Sequence, residues 1–352
     1  MIPASRKGRP CTAKISLRIK VSFQSLSCSK STSRKSTRRI RYDPKVTFQP
    51  DLLWQNQHLQ TTYRGIFRRS PTVGWLPKKV LSEYGDYLDL DCCLAQGKPS
   101  LRLLVLHGIT GCSGASPIPD LALGLSTLGV ETWALNLRGS QGQKPQIPRL
   151  YHAGCSEEVE AIFNQLPQDL PWRFLGISLG ANLLLKWLGE DGGRQLSGAK
   201  AMVVSCPFDL AECSANLERT AMTRLYRLVL IRRLKVIVKS LLAAHPNALD
   251  WQKVAGCRTF FDFDEHVTAP LHGFDGAWDY WNRNSSFQFL TSIKIPTLLL
   301  HAWDDPFQPK PPDHIRTQNL HWEIYQNGGH VGFQESFSRD WLVSRIVRFV
   351  NL

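Results

Sequence analysis

Between residues 102 and 206 the chain alternates short, unbroken apolar runs with amphipathic segments, and this alternation limits the folds open to it more than any other feature. Residues 103–107, 130–137, 172–177 and 201–206 have the length and continuous apolar content of strands buried on both faces. The segments between them, 119–128, 157–166 and 181–189, space their apolar residues as helices do. Strands and helices alternating in this way form a mostly parallel central sheet flanked by helices, so the fold class is α/β. Between 207 and 295 the pattern gives way to a long basic helix near 219–242 and an aromatic-rich stretch, read as a helical cap insertion that covers the sheet edge. Strands at 297–301 and 322–325 and a closing helix at 341–350 complete a single domain spanning 43–352.

Residues 1–42 have a different character. They hold twelve of the 43 Lys and Arg residues, no Asp or Glu and no sustained period, so they cannot bury enough apolar surface to fold alone. A cleavable organelle transit peptide, a polyanion-binding tail and an over-extended translation start all have this composition. Because the tail carries most of the formal charge of +14, the body is nearly neutral and is not expected to bind nucleic acid. The nine cysteines include no C-x-x-C pair. They give no metal or redox motif and fit reduced thiols in the cytoplasm, with organelle import only if the tail is a transit peptide. No run reaches 18 consecutive apolar residues, so no membrane span is expected.

Gly176-Ile177-Ser178-Leu179-Gly180 lies between the strand 172–177 and the helix that follows it. A G-x-S-x-G match is weak by itself, and a serine at such a junction often serves as a helix N-cap. A strand before, a helix after and glycines at the sharp turn are nevertheless what a nucleophile elbow requires. A serine hydroxyl is a poor nucleophile until a histidine takes its proton and a carboxylate orients that histidine, in the chain order Ser, Asp/Glu, His. Downstream, Asp304 and Asp305 follow the strand 297–301, and His330 sits in the glycine-flanked Gly328-Gly329-His330-Val331-Gly332. The strand 103–107 runs into Gly108-Ile109, which makes the N–H groups of Ile109 and Leu179 the candidate oxyanion-hole donors. His107 and His301 stand at strand ends and read as packing groups. Arg138 reads either as a contact for a substrate anion or, more plainly, as the partner of a nearby acid.

These motifs resemble those of the YheT-like α/β-hydrolases, a group that includes the plant embryogenesis-associated hydrolases. The resemblance spans 47–352 and rests on Asn56-Gln57-His58-Leu59-Gln60-Thr61, Leu106-His107-Gly108-Ile109-Thr110-Gly111 and Asn136-Leu137-Arg138-Gly139. It continues through 150–154, 176–182, Pro207-Phe208-Asp209-Leu210, 268–274, Asp304-Asp305-Pro306-Phe307 and 328–333. It implies an α/β-hydrolase fold with a helical cap, a Ser-Asp-His triad and action on carboxylic esters, with no metal and no organic cofactor. The signature usual after this strand is a small residue, two variable residues, the catalytic Asp, three more residues and a Pro. Ala302 and Pro309 take the outer positions, so the resemblance assigns the acid to Asp305. Asp304 is then the fallback, a loop acid shaping the turn before Pro306. Ala181 stands where the family usually has glycine, and the tail 1–42 has no counterpart in it.

The expected function is a serine hydrolase of the esterase or lipase type. Ser178 attacks an acyl ester or lipid, His330 acts as base and then acid, Asp305 holds the imidazole, and water releases the acyl-enzyme. Phe261, Phe263, Phe274, Trp278 and Trp281 read as an apolar acyl pocket or as ordinary core. The alternatives are a catalytically silent binding protein of the same fold and a peripheral lipid-binding protein. The second draws on 219–249, which holds seven Lys and Arg residues and no acid. That helix either approaches an anionic membrane or pairs with Asp262, Asp264 and Glu265.

Overall fold

Eight strands pair into one sheet in the computed structural model, which describes residues 47–140, 144–308 and 310–351. They are β1 (Leu76–Leu81), β2 (Tyr87–Cys93), β3 (Leu101–Leu106), β4 (Val130–Asn136), β5 (Trp172–Ile177), β6 (Lys200–Val204), β7 (Thr297–Ala302) and β8 (Leu320–Tyr325). Their order across the sheet is β1-β2-β4-β3-β5-β6-β7-β8. β2 runs antiparallel to both its neighbours, and the remaining pairs are parallel. The tail 1–42 lies outside the described residues, as does Pro309, one of the two anchors for the register of Asp305.

Eleven α-helices accompany these strands among the described residues. In chain order they are α1 (Gln57–Ile66), α2 (Ile118–Ser126), α3 (Ser156–Gln165), α4 (Leu179–Gly189), α5 (Leu210–Asn216), α6 (Ala221–Ala244), α7 (Trp251–Gly256), α8 (Phe260–Phe263), α9 (Ala269–His272), α10 (Ala277–Asn284) and α11 (Trp341–Val350). Successive side chains of a strand point to opposite faces of the sheet. Leu104, Leu106, Phe174, Val203 and Leu299 therefore enter one core, with Val159 and Ile162 of α3 and Leu183 and Leu184 of α4. Leu103, Val105, Leu175, Met202 and Leu298 enter the other, with Leu121 and Leu125 of α2 and Ile346 and Val347 of α11. Because both faces are covered, the central strands read in the sequence as continuous apolar runs rather than as alternation.

Three elements had no such signal. β1 is an edge strand in which only Val80 is buried, and its exposed Lys78 and Lys79 guard the open edge against pairing with another chain. β2 alternates buried and half-buried positions with Asp89 and Asp91 between apolar residues. Helix α1 is capped by Asn56, whose side chain accepts from the N–H groups of His58 and Leu59, but the residues it buries are Gln60 and Arg64. A helix that docks through polar side chains shows no apolar stripe.

The insertion departs from the expectation that it covers the sheet edge. It leaves from β6 and returns at β7, which are interior neighbours. Ile231, Leu234, Val238 and Leu241 of α6 pack with Leu150 and Ile109, in the loops that follow β4 and β3. The insertion thus sits over the ends of the strands where the G-x-S-x-G turn lies.

Candidate active site

Ser178 joins β5 to α4 with φ 54° and ψ −120°, a conformation that side-chain-bearing residues rarely adopt and that must be held by its surroundings. Its N–H donates to the Val204 carbonyl at 2.9 Å, and its own carbonyl accepts from Ala181 at 2.8 Å. Both motif glycines are dictated by close approach. A Cβ at Gly176 would stand 2.6 Å from Cα of Ala181, and one at Gly180 would stand 2.3 Å from the Leu106 carbonyl oxygen. The serine hydroxyl makes no N-cap bond to α4. It lies instead 2.8 Å from Nε2 of His330.

Nδ1 of His330 is 2.9 Å from Oδ2 and 3.1 Å from Oδ1 of Asp305, which is fully buried. A carboxylate only accepts, so Nδ1 carries the proton and Nε2 is left to accept from the Ser178 hydroxyl. Oδ1 of Asp305 also accepts from the Phe307 N–H at 2.8 Å, and the Phe307 ring stacks on the imidazole with centroids 4.1 Å apart. Asp304 points elsewhere: its Oδ1 accepts from the Gly329 N–H at 2.8 Å, and burial raises its carboxyl above the usual carboxylate range. It braces the histidine loop, not the turn before Pro306 that the sequence suggested.

That loop is strained. Gly329, Val331 and Phe333 all have positive φ, and for the β-branched Val331, at 61°, this is an outlying conformation. It is fixed from outside. The Val331 N–H donates to Ser205 Oγ at 2.9 Å, and the His330 N–H donates to Thr61 Oγ1 at 3.0 Å. The Gln334 N–H donates to Gln60 Oε1 at 2.8 Å. The Arg64 guanidinium donates to the Gly332 carbonyl at 3.1 Å and to Asp340 at 2.7 Å. A Cβ at Gly329 would stand 2.6 Å from the Gln57 carbonyl oxygen, so α1 lies directly against the loop. Thr61, Gln60, Arg64 and Ser205 were missing from the sequence-based site. The block Asn56 to Thr61 entered that reading only as part of a resemblance, and the available signal was polar residues repeating on one helical face.

The turn after β3 passes over the serine: a Cβ at Gly108 would lie 3.1 Å from Cβ of Ser178. The turn is closed by the Gly111 N–H donating to the Gly108 carbonyl at 3.0 Å, and the Thr110 N–H donates to the Tyr151 hydroxyl at 2.7 Å. The N–H groups of Ile109 and Leu179 have no acceptor among the described residues. His107, fully buried, accepts from the Leu137 N–H through Nε2 at 3.2 Å and donates from Nδ1 to the Gly108 carbonyl at 2.8 Å. Burial lowers its pKa to about 4, so it is neutral and pins the turn. His301 donates from Nε2 to the Gln308 carbonyl at 2.6 Å. Arg138 is buried and pairs with Asp86 and, at 2.8 Å, with Glu158, which is the plainer of its two sequence readings. No cluster of three or more His, Cys, Asp or Glu side chains suited to a metal occurs among the described residues.

The family profile described as alpha/beta hydrolase fold matches residues 102–337. The putative esterase YheT of Escherichia coli is 31% identical, over 87% of this chain and 93% of that protein. The chain belongs to the YheT-like α/β-hydrolases. This hydrolase is also 30% identical to the monoacylglycerol lipase of Saccharomyces cerevisiae, over 71% of its own chain and 59% of the yeast protein. Among solved structures, the esterase EaEST from Exiguobacterium antarcticum has the same fold, with a TM-score of 0.52 at 14% identity over 79% of this chain and 100% of that one.

Proposed function

We propose that this α/β-hydrolase cleaves carboxylic esters, of lipids or other acyl compounds, through an acyl-enzyme on Ser178. The observation that carries the reading is the continuous contact from the Ser178 hydroxyl through His330 to the buried Asp305, at 2.8 and 2.9 Å. Its relatives include proteins named a putative esterase and a monoacylglycerol lipase. In the proposed cycle Ser178 Oγ bonds to the ester carbonyl carbon as its proton passes to Nε2 of His330. The N–H groups of Ile109 and Leu179 receive the negative charge that forms on the carbonyl oxygen. Collapse breaks the bond to the alcohol oxygen, which takes the proton from His330 and leaves. A water then gives His330 a proton as it attacks the acyl carbon, and His330 returns that proton to Ser178 Oγ as the acyl–Oγ bond breaks, releasing the acid and the free serine. Asp305 keeps Nδ1 protonated throughout.

A fluorophosphonate probe tests this directly. It should label the native protein at Ser178 and the heat-unfolded protein not at all; a native protein that stays unlabelled, or is labelled elsewhere, contradicts the reading.

We further propose that α6 meets an anionic membrane. Met222, Leu225, Leu228 and Val236 are exposed on the same helix as the exposed Arg232 and Arg233, which have no ionic partner among the described residues. The other cations of α6 are engaged: Arg224 with the Glu218 carbonyl at 2.9 Å, Arg227 with the Glu218 carboxylate, Lys235 with the Ala255 carbonyl at 2.7 Å, and Lys239 over the Trp251 ring. Asp262, Asp264 and Glu265, which the sequence offered as partners, accept instead from the Thr259 N–H, the Trp281 indole and the Ala277 N–H. Binding to phosphatidylglycerol vesicles should fall on reversing charge at Arg232 and Arg233, and unchanged binding contradicts the proposal. No helix among the described residues is long and apolar enough to cross a membrane. We propose a cytoplasmic location, in keeping with cysteines that form no C-x-x-C pair, or import into an organelle if residues 1–42 act as a transit peptide.

A further inference from the structure

Phe307 and His330 meet face to face, with ring centroids 4.1 Å apart and planes 22° from parallel. Phe307 stacks in turn on Tyr226 of α6, with centroids 6.0 Å apart and planes within 10°. The Tyr226 hydroxyl is held 2.9 Å from Nδ1 of His58, near the start of α1. Three rings therefore run in series from the insertion to the imidazole, and the far end of the series is tied to the helix that braces the histidine loop.

The backbone of Phe307 is fixed as closely as its ring. Its N–H donates to Oδ1 of Asp305 at 2.8 Å, and its carbonyl accepts from Nδ2 of the buried Asn216, the last residue of α5, at 3.2 Å. Among the described residues Phe307 belongs to neither core of the sheet, so filling the interior does not account for its position. What it covers is the face of the one ring that changes charge in the proposed cycle.

His330 starts with a single proton, on Nδ1. It gains a second at Nε2 first from Ser178 Oγ and later from the attacking water, and each time the ring becomes an imidazolium until it gives that proton up. An aromatic face carries partial negative charge and attracts a cation within about 6 Å of its centroid. Only 11% of the His330 side chain is exposed, so water screens this attraction little. Asp305 meets the charge at the edge of the imidazole, and Phe307 meets it at the face. The attraction appears only once the ring is charged, which is the condition for an interaction to speed a reaction rather than tighten binding alone.

We infer that Phe307 is a positioning residue for the reaction: it fixes the plane of the His330 ring and favours the positive charge which that ring takes up in each proton transfer. The inference rests on the reading of Ser178, His330 and Asp305 as a triad.

The test measures kcat/KM for p-nitrophenyl acetate with the full-length protein, with Phe307→Leu, and with singly, doubly and fully fluorinated phenylalanine placed at 307. The fluorinated rings keep nearly the shape of phenyl but draw negative charge away from its face. Activity should fall stepwise with fluorine content, to roughly 3- to 30-fold below native for the fully fluorinated ring, and Phe307→Leu should lose at least as much. A fully fluorinated ring that keeps kcat/KM within about twofold of native overturns the inference, even where Phe307→Leu is impaired, because shape alone then suffices. If Phe307→Leu fails to fold, the fluorinated proteins decide by themselves. A flat fluorine series in a protein whose Ser178 still takes the fluorophosphonate probe removes this inference and leaves the hydrolase reading standing. A native protein that hydrolyses no ester and resists the probe removes both.

Discussion

Asp304 accepts the Gly329 N–H at 2.8 Å, while the adjacent Asp305 reaches Nδ1 of His330 at 2.9 Å. Two neighbouring carboxylates thus hold the same loop, one by its backbone and the other by its imidazole. Their substitutions should differ in size. Asp305→Asn leaves the histidine free to adopt the wrong tautomer and should lower kcat on the order of 10⁴-fold, by analogy with the serine-protease case. Asp304→Asn keeps an oxygen able to accept from Gly329 and should cost roughly tenfold or less. Turnover of one activated ester by both variants, with folding checked by circular dichroism, decides the order; the reverse order assigns the acid to Asp304.

Helix α1 supplies a second set of supports. Thr61→Val removes the acceptor for the His330 N–H and should reduce kcat about 10- to 100-fold with little change in KM, because the ring is misplaced while substrate contacts remain. Thr61→Ser should restore most of the loss. Gln60→Leu strands the Gln334 N–H and the carbonyls of Trp54 and Gln334, each buried polar group costing about 1–3 kcal/mol, so its main effect should be a lower melting temperature. Steady-state kinetics and thermal melts separate the two patterns.

The parts legible in the sequence and the parts that were not have a common physical cause. The buried strands β3 to β7 announce themselves because both faces need apolar residues, and the elbow because its backbone contacts exclude any side chain at Gly176 and Gly180. α1 was missed because its docking face is Gln60 and Arg64, which satisfy a strained loop rather than a core. β1 was missed because an edge strand exposes almost all its side chains. The helix after the serine begins at Leu179, two residues earlier than its apolar spacing suggested, since Gly180 conceals the first turn.

Gly180→Ala should be among the most damaging single-methyl additions. Its Cβ would meet the Leu106 carbonyl oxygen at 2.3 Å and the His107 carbonyl oxygen at 2.6 Å, both rigid backbone atoms of the sheet. Overpacking of this kind costs about 1–3 kcal/mol or more, so the melting temperature should fall by roughly 2–5 °C or more. A variant that melts with the parent means the elbow has more room than these contacts allow.

Acid should weaken the fold partly through His107. Burial holds its pKa at about 4 against 6.5 when unfolded, so between those values the unfolded chain binds the extra proton and stability rises with pH. Its share of the loss between pH 7 and 5 is about 2 kcal/mol. Denaturant melts of the native protein and of His107→Gln at the two pH values should show the smaller pH dependence in the variant; equal slopes mean that His107 is protonated alike in both states.

The assignment of Ser178 as nucleophile is tested most directly by ester turnover in Ser178→Ala, which keeps the backbone of the turn and removes only the hydroxyl that contacts His330. On a p-nitrophenyl ester the variant should fold with the native circular dichroism spectrum and lose at least about 10³-fold in kcat. Retention of more than about a tenth of native turnover, a loss worth only about 1.4 kcal/mol, would contradict the assignment.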